Sequence, residues 1–365
     1  MEFLNKYVLS QIDFGTLAIL FCLMGVVEGF NKLGYLDLLS NKLVKMAGSF
    51  KVLQGILIFV CFFISMFVTN DVALIIIVPF TIQIVGKLVE SKTLIKIIVL
   101  ETIAANLGSM VTPIGNPQNL YLYQHYNLSL SVFVKVIMPY AILSAIVLLI
   151  LVIFEKTEVE IDSLGVLKDD NNVLQEKNDN NVLQEKIFKK KRNNKVIKTI
   201  IYSALFVLSI LTVLDVIHYL ICFFVVVLCM LICDRTLFKG INYSLLIKFV
   251  ILFLIVGNLA EIHFISEKLQ NIVVGNEFMS GVLLSQCLSN VPTAIMLSKF
   301  TDNGTELMLG VDVGGLGTLI ASMASMISYD FYAKIEGADK KKYILSFTGY
   351  NILFLIAMLA LKLIM

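Results

Sequence analysis

An all-α membrane fold of two inverted repeats, each with one re-entrant hairpin and one broken helix, is what the sequence predicts, on three observations. Apolar residues fill 58% of the 365 positions, charged residues only 15%, and the mean hydropathy is +0.88. That is more apolar surface than a soluble domain of this length buries. Two apolar runs, "FVTNDVALIIIVPF" (67–80) and "CLSNVPTAIMLSKF" (287–300), each carry a hydroxyl residue followed by Asn. Two others, "NLGSMVTPIGNPQNLYLY" from Asn106 and "DVGGLGTLIASMAS" from Asp312, are interrupted by glycines together with proline, amide or hydroxyl residues.

A helix crossing the hydrocarbon core needs ~20 mostly apolar residues. Segments 14–30, 132–154, 196–216, 217–234, 249–263 and 343–364 read as full spans. The first has neither a basic leader nor a small-residue cleavage site, so it is expected to be retained. Segments 93–126 and 309–330 read as spans broken in the middle. Segment 53–86 has Asn70 and Asp71 near its centre, leaving arms of about sixteen and fifteen residues, each short of the ~20 a crossing requires. Segment 272–300 is arranged the same way around Ser289 and Asn290. Both read as hairpins that enter, turn near the midplane and leave on the side they came from. Such a turn is tolerated only when walled by protein or lining a wet cavity.

Lysine and arginine mark cytoplasmic loops. With both hairpins returning to their own side and residues 156–195 cytoplasmic, all but five of the 29 Lys and Arg fall inside; Lys6, Lys135, Lys268, Lys299 and Lys362 do not. Both termini then lie outside. The first hairpin opens to the cytoplasm between Lys51 and Lys87, and the second opens outward between Lys268 and Asp302. The expected organisation is a first repeat over 1–155, a charged cytoplasmic linker over 156–195, a scaffold helix pair over 196–243 and a second repeat over 244–365. The linker contains the duplication "DDNNVLQEK" and "NDNNVLQEK" and ends in "KKKR", which reads as a solvated tether whose basic end fixes topology. Aligning the repeats sets Thr69 and Asn70 over Ser289 and Asn290, Thr112 over Thr318, and Gly115 and Asn116 over Ala321 and Ser322.

Composition excludes several functions. Net charge is +2, close to neutral, so no nucleic-acid partner is expected. The six cysteines lie in or beside apolar segments, where cysteine usually acts as a small hydrophobe, and the Cys229 and Cys233 pair is not expected to hold a metal. His125, His218 and His263 fall at span margins, where interfacial histidines are ordinary. No G-x-S-G, H-E-x-x-H or G-x-G-D string is present, and Asp71 has no evident partner carboxylate, which argues against an intramembrane hydrolase. A channel needs a continuous polar path, which the helices between the breaks do not offer. No cofactor is expected beyond a coupling ion, Na+ or H+.

In hydrocarbon an unsatisfied backbone group costs several kcal/mol, so a helix is interrupted where something uses the freed groups. Carbonyls at Thr112 to Gly115 suit a hard cation such as Na+. The half-helix N-termini after Asn70 and Asn116 aim partial positive charge at the same space, which suits an anion. Asn70 is expected to cap its half-helix and offer its amide to ligand or ion. Paired hairpins and broken helices at the midplane are the architecture of secondary transporters. Glu28 and Glu261 read as interfacial; Glu101 and Asp312 stand as candidates behind the site.

The "TND" and "SNVPT" tips, with "TPIGNPQNL" and "GTLIASMAS", resemble the ion transporter superfamily: sodium-coupled dicarboxylate and citrate symporters, arsenite and antimonite permeases, and some sodium/proton antiporters. The resemblance covers most of 14–155 and 244–365. It implies one ion site around Thr69, Asn70, Gly115 and Asn116 and another around Ser289, Asn290, Ala321 and Ser322, with Thr112 and Thr318 beside the breaks. Substrate is implied between Asn70, Asp71, Asn290 and Thr293. The chain departs from the dicarboxylate pattern, Ser-Asn-Thr at each tip, by carrying Asp71 and Val291 after the tip asparagines. An ionised Asp71 repels a dianion, so it is neutralised by a cation or by a proton. A second departure is that the scaffold pair, which usually also precedes the first repeat, has no counterpart there. The reading is a secondary active transporter moving a small anion or weak acid, such as a di- or tricarboxylate, with Na+ or H+. The alternatives are an arsenite/antimonite efflux permease and, more remotely, a sodium/proton antiporter or channel. Related transporters are dimers, so the resemblance also implies a homodimer in a bacterial-type cytoplasmic membrane.

Overall fold

The structure, a computed structural model, describes residues 11–34, 47, 49–86, 89–155, 181–260 and 262–365. Lys6, Lys87, Glu261 and the first copy of the linker duplication lie outside them. The described residues are helical, with no strand among them. In chain order the helices are α1 (Phe14–Lys32), α2 (Phe50–Val68), α3 (Asn70–Val85), α4 (Ser91–Ser109) and α5 (Pro117–His125). There follow α6 (Leu130–Ile153), α7 (Asn181–Val213), α8 (Tyr219–Cys233), α9 (Tyr243–Ala260) and α10 (His263–Val273). The last five are α11 (Glu277–Leu288), α12 (Asn290–Leu297), α13 (Gly304–Gly314), α14 (Met323–Ala333) and α15 (Lys340–Ile364). Among the described residues, five stretches are long and apolar enough to cross a membrane: α1, α2, α6, residues Asn194–Val213 of α7, and α15. The protein is a multi-pass integral membrane protein.

Several boundaries differ from expectation, among them the start of α9 at Tyr243 rather than 249, and two bear on the topology. α2 has 19 residues, enough to cross by length, so the shortness of the first arm is not what makes the chain turn at residue 69. α7 begins at Asn181, so residues 181–195 of the expected linker are helical.

The reversal is read from contacts instead. Against α4, helix α2 runs parallel: the Thr112 hydroxyl, just beyond α4, donates to the Met66 carbonyl, and Gly108 lies against the Phe62 carbonyl. Helix α3 runs antiparallel to α4, since Asn70 bonds Asn106 whereas Thr81 bonds Glu101. The chain therefore doubles back at Thr69. In the second half, Phe278 contacts Gly310 while Gln286 bonds the carbonyls of Gly314 and Leu316, so α11 runs parallel to α13. After Ser289 the chain returns, and Thr301 donates to Glu277 Oε1 at 2.9 Å.

The α2/α4 and α11/α13 pairs are the most extensive helix contacts, and they repeat each other residue by residue. Thr112 donates to the Met66 carbonyl as Thr318 donates to the Gln286 carbonyl. A Cβ on Gly108 would stand 2.7 Å from Ser65 Oγ, and one on Gly314 2.8 Å from Ser285 Oγ. The serines in turn bond their own helices through the Phe62 and Gly281 carbonyls. Small residues here let backbones touch, the usual device of helix packing in membranes.

The two broken helices lie antiparallel along their whole length. Ser91 Oγ is 3.1 Å from the Tyr332 hydroxyl, Thr102 Oγ1 is 2.7 Å from Ser328 Oγ, and Asn106 Nδ2 donates to Ser325 Oγ at 3.3 Å. Further along, Asn116 bonds Asp312, and Gly304 packs on the Tyr126 ring. The residue that ends each interruption, Asn116 or Ser322, thus bonds the other broken helix just before that helix's own break, at Asp312 or Asn106, and all four are buried. A second cluster, Cys22, Val26, Tyr202, Cys222, Val226 and Met230, joins α1 to the α7/α8 pair.

Gly108 tests this packing, because a Cβ there would stand 2.1 Å from the Phe62 carbonyl oxygen. Gly108→Ala should lower stability by about 1–3 kcal/mol, seen as a lower thermal midpoint of the detergent-purified protein. Gly349→Ala, on an open face of α15 with nothing within 4 Å, should leave the midpoint unchanged or slightly raised. Equal midpoints for both variants would contradict the close approach of α2 and α4.

Candidate functional site

Both hairpins turn through one residue of left-handed φ. Thr69 has φ 77° and ψ 151°, and Ser289 has φ 73° and ψ 155°. This region is nearly reserved for glycine and costs non-glycine residues about 1–3 kcal/mol, sustained only where surrounding structure over-determines it. Thr69, not Asn70 as expected, is the cap of α3; its Oγ1 accepts from Val72 N at 3.5 Å. Asn70 is the first helical residue, and its Oδ1 reaches only the next amide, Asp71 N, at 2.9 Å. Asn290 does the same with Val291 N, and Ser289 Oγ donates to Asn290 Oδ1 at 3.4 Å. The cap shifts because the residue leaving helical geometry is the hydroxyl residue.

The first tip is pinned to both breaks. Asn70 N donates to the Gly115 carbonyl at 3.1 Å, so one freed carbonyl of the first break is used by the tip. Asn70 Nδ2 donates to Asn106 Oδ1 at 3.1 Å, and the same oxygen accepts from Ser322 Oγ, the cap of α14, at 3.0 Å. Asn70, Asn106, Ser322 and Ser325 thus form one buried polar chain through both halves. A Cβ on Gly115 would stand 2.1 Å from the Ser109 carbonyl oxygen, which explains a glycine at that point of the break.

The matched contact lies at the other end of the crossing. Asn116 caps α5, accepting from Asn119 N at 2.8 Å, and its Nδ2 reaches Ser109 Oγ at 3.3 Å and Asp312 Oδ1 at 3.2 Å. Gln118 Nε2 donates to the same Asp312 oxygen at 3.3 Å. The N-terminus of α5, which the sequence offers to an anion, therefore faces a carboxylate of the chain itself. Asp312 answers Asn106: each stands just before its break and receives the cap residue of the other broken helix.

The remaining expected residues are scattered. Ala321 is buried and brings no polar side chain. Thr318 is exposed, with its amide on Gln286 Oε1 at 2.9 Å and its hydroxyl on the Gln286 carbonyl at 3.1 Å. Thr112 points its hydroxyl at Met66 O. Thr293 is fully buried and donates to the Ser289 carbonyl of its own hairpin at 2.8 Å. A Cβ on Gly315 would stand 3.0 Å from Asn290 Nδ2, so the second tip faces the second break. Asp71 lines a separate pocket of about 110 Å³ with Thr69, Glu28, Asn31, Asn242 and Pro117. Neither Asn290 nor Thr293 borders that pocket. Among the described residues no group of three or more His, Cys, Asp and Glu could hold a metal. The oxygen donors at the crossing are amides, hydroxyls, main-chain carbonyls and the lone carboxylate of Asp312.

Sequence reasoning missed Asn106, Gln118, Asn119 and Gln286 as parts of this arrangement. The first three stand in the interrupted string from Asn106, where clustered amides within an apolar run were the available signal. Gln286 stands three residues before Ser289 with no comparable signal.

Comparison with known proteins identifies the family. A sequence model described as a citrate transporter matches residues 2–303. The uncharacterized transporter MJ0456 of Methanocaldococcus jannaschii is 32% identical over 323 residues, covering 87% of this chain and 80% of that protein. The inner membrane protein YbiR of Escherichia coli K12 is 28% identical over 325 residues, with the same shares covered. A polytopic helical chain with interrupted helices, matched over most of its length by this family, belongs to the citrate transporter family of membrane transporters.

Proposed function

We propose that the protein is a secondary active transporter that carries a small carboxylate anion or weak acid, citrate-like in class, driven by Na+ or H+. The observation that carries this reading is the antiparallel crossing of two broken helices, each break met by a hairpin tip. In this reading the halves are inverted repeats, both hairpins are re-entrant, and the tips Asn70 and Asn290 flank the substrate. Freed carbonyls and cap residues near Gly115, Asn116, Ala321 and Ser322 hold the coupling ion. Strained tip residues and few-atom latches between the halves suit elements that must exchange between two arrangements. The family name supports a tricarboxylate, and the loss of a tip hydroxyl at Asp71 and Val291 sets this chain apart from dicarboxylate carriers. In this reading the protein sits in the cytoplasmic membrane with both termini outside and works as a homodimer.

A second reading, efflux of a neutral oxyacid such as arsenite, is favoured by one feature. The pocket behind the first tip is lined by Asp71 and Glu28 and by no basic side chain; Lys32 pairs with Glu28 at 3.8 Å, which leaves Asp71 as the acid that disfavours a multiply charged anion there.

Uptake by purified protein in liposomes separates these readings, with citrate, dicarboxylates and arsenite offered against imposed Na+ and H+ gradients. Gradient-driven accumulation of a carboxylate is expected; transport of arsenite alone selects the second reading, and downhill leak with no gradient coupling overturns both. Asn70→Ala and Asn290→Ala should each reduce initial rates at least about tenfold, the scale of a lost hydrogen bond to a charged group at ~1.5–3 kcal/mol, with folding retained. Near-normal rates in both would remove the tips from the site. Asp71→Asn removes a titratable group and should flatten the pH or Na+ dependence of transport; an unaltered profile excludes Asp71 from coupling.

A further inference from the structure

Asp312 is only half satisfied. Its Oδ1 receives Asn116 Nδ2 and Gln118 Nε2. Its Oδ2 is buried without any partner, in a residue 4% exposed. Amide donors and the α5 N-terminus favour the charged carboxylate, yet half of its acceptor capacity is unmet where an uncompensated charge is costly. None of its hydrogen-bond partners is a cation.

Asn119 repeats the pattern. Its Nδ2 donates to the Met110 carbonyl at 3.2 Å, a carbonyl freed by the first break, while its Oδ1 is buried and unpartnered. Two residues, both hydrogen-bonded to Asn116, therefore each hold a free, buried oxygen, one of them on a carboxyl group. Oxygen donors of this kind suit a hard cation. Packing does not call for the carboxylate, because the matched position in the first half is a neutral asparagine. Asn106 Oδ1 already receives two donors, Asn70 Nδ2 and Ser322 Oγ. Of these two matched positions only 312 carries a carboxyl group, and only there is a side-chain oxygen left over.

We propose that Asp312 and Asn119 form a Na+ site at the crossing of the broken helices, distinct from the ion positions expected at the hairpin tips. That this ion drives transport rests on the transporter reading; that it binds does not.

Binding is measured by thermal unfolding of the detergent-purified full chain, titrated with NaCl against KCl and choline chloride at constant ionic strength. The wild type should show a saturable, Na+-specific rise in midpoint. Asp312→Asn, which places at 312 the residue found at 106, should fold and lose that rise. Asn119→Ala should move the Na+ titration midpoint at least tenfold higher, an effect that a merely structural latch would not produce. No Na+-specific rise in the wild type, an undiminished rise in Asp312→Asn, or an unmoved titration in Asn119→Ala each overturns the site. A rise lost in Asn70→Ala but kept in Asp312→Asn assigns the ion to the tips and does the same. A midpoint that follows pH but not Na+, and loses that dependence in Asp312→Asn, puts a proton on Oδ2 and also overturns it. Na+ binding without transport of any tested substrate removes the transporter reading and leaves the site standing.

Discussion

Asn106 Oδ1 accepts two hydrogen bonds from two different elements, the tip of the first hairpin and the cap of the second broken helix. Interrupting a helix in an apolar medium releases backbone groups that cost several kcal/mol each if left unpaired. This protein meets that constraint twice by laying two interrupted helices antiparallel, so that residues of one complete the other. Asn106 receives Ser322, and Asp312 receives Asn116. The close backbone contacts at Gly108 and Gly314 hold each hairpin arm against its broken helix.

The electrostatics of the crossing are not symmetric. A half-helix N-terminus attracts anions, yet that of α5 already faces the Asp312 carboxylate. A mobile anion is thereby given less reason to settle at the first break than the helix dipole alone suggests. Asp71 adds negative charge on the first tip but faces a small pocket beside α1 rather than the second tip. Strain at Thr69 and Ser289 is sustained by these fixed contacts, chiefly the bond from Asn70 N to the Gly115 carbonyl on the first side. Tips held by few hydrogen bonds in an uncommon backbone conformation are the places where a second arrangement costs least.

Much of the fold was legible in the sequence because membranes restrict what a chain can do. Asn and Pro inside an apolar run announced the breaks, and a hydroxyl-Asn pair in mid-run announced each turn. Both signals are local and chemical. What stayed hidden was conformational or long-range. Nothing local indicates that β-branched Thr69 adopts a left-handed φ and takes the cap from Asn70. Spacing does not reveal that Asn106 meets Ser322, or that Gln286 bonds both Gly314 and Leu316, since these pairs are far apart in the chain. The length of α2 and the helical start of α7 were misjudged for a simpler reason. Helices continue through polar or charged residues wherever neighbours or solvent satisfy them, so hydropathy alone sets poor ends.

The central claim is that each hairpin leaves the membrane on the side it entered, the two on opposite sides. Single cysteines at Ser49 and Glu90, and at Asn276 and Asp302, all exposed positions at the hairpin ends, report this directly. They would be placed in a background cleared of the six native cysteines and labelled with a membrane-impermeant thiol reagent from either face. Labelling of 49 and 90 from one face and of 276 and 302 from the other is the predicted result. Labelling of 49 and 90 from opposite faces would show the first segment to be a plain crossing and would contradict the account.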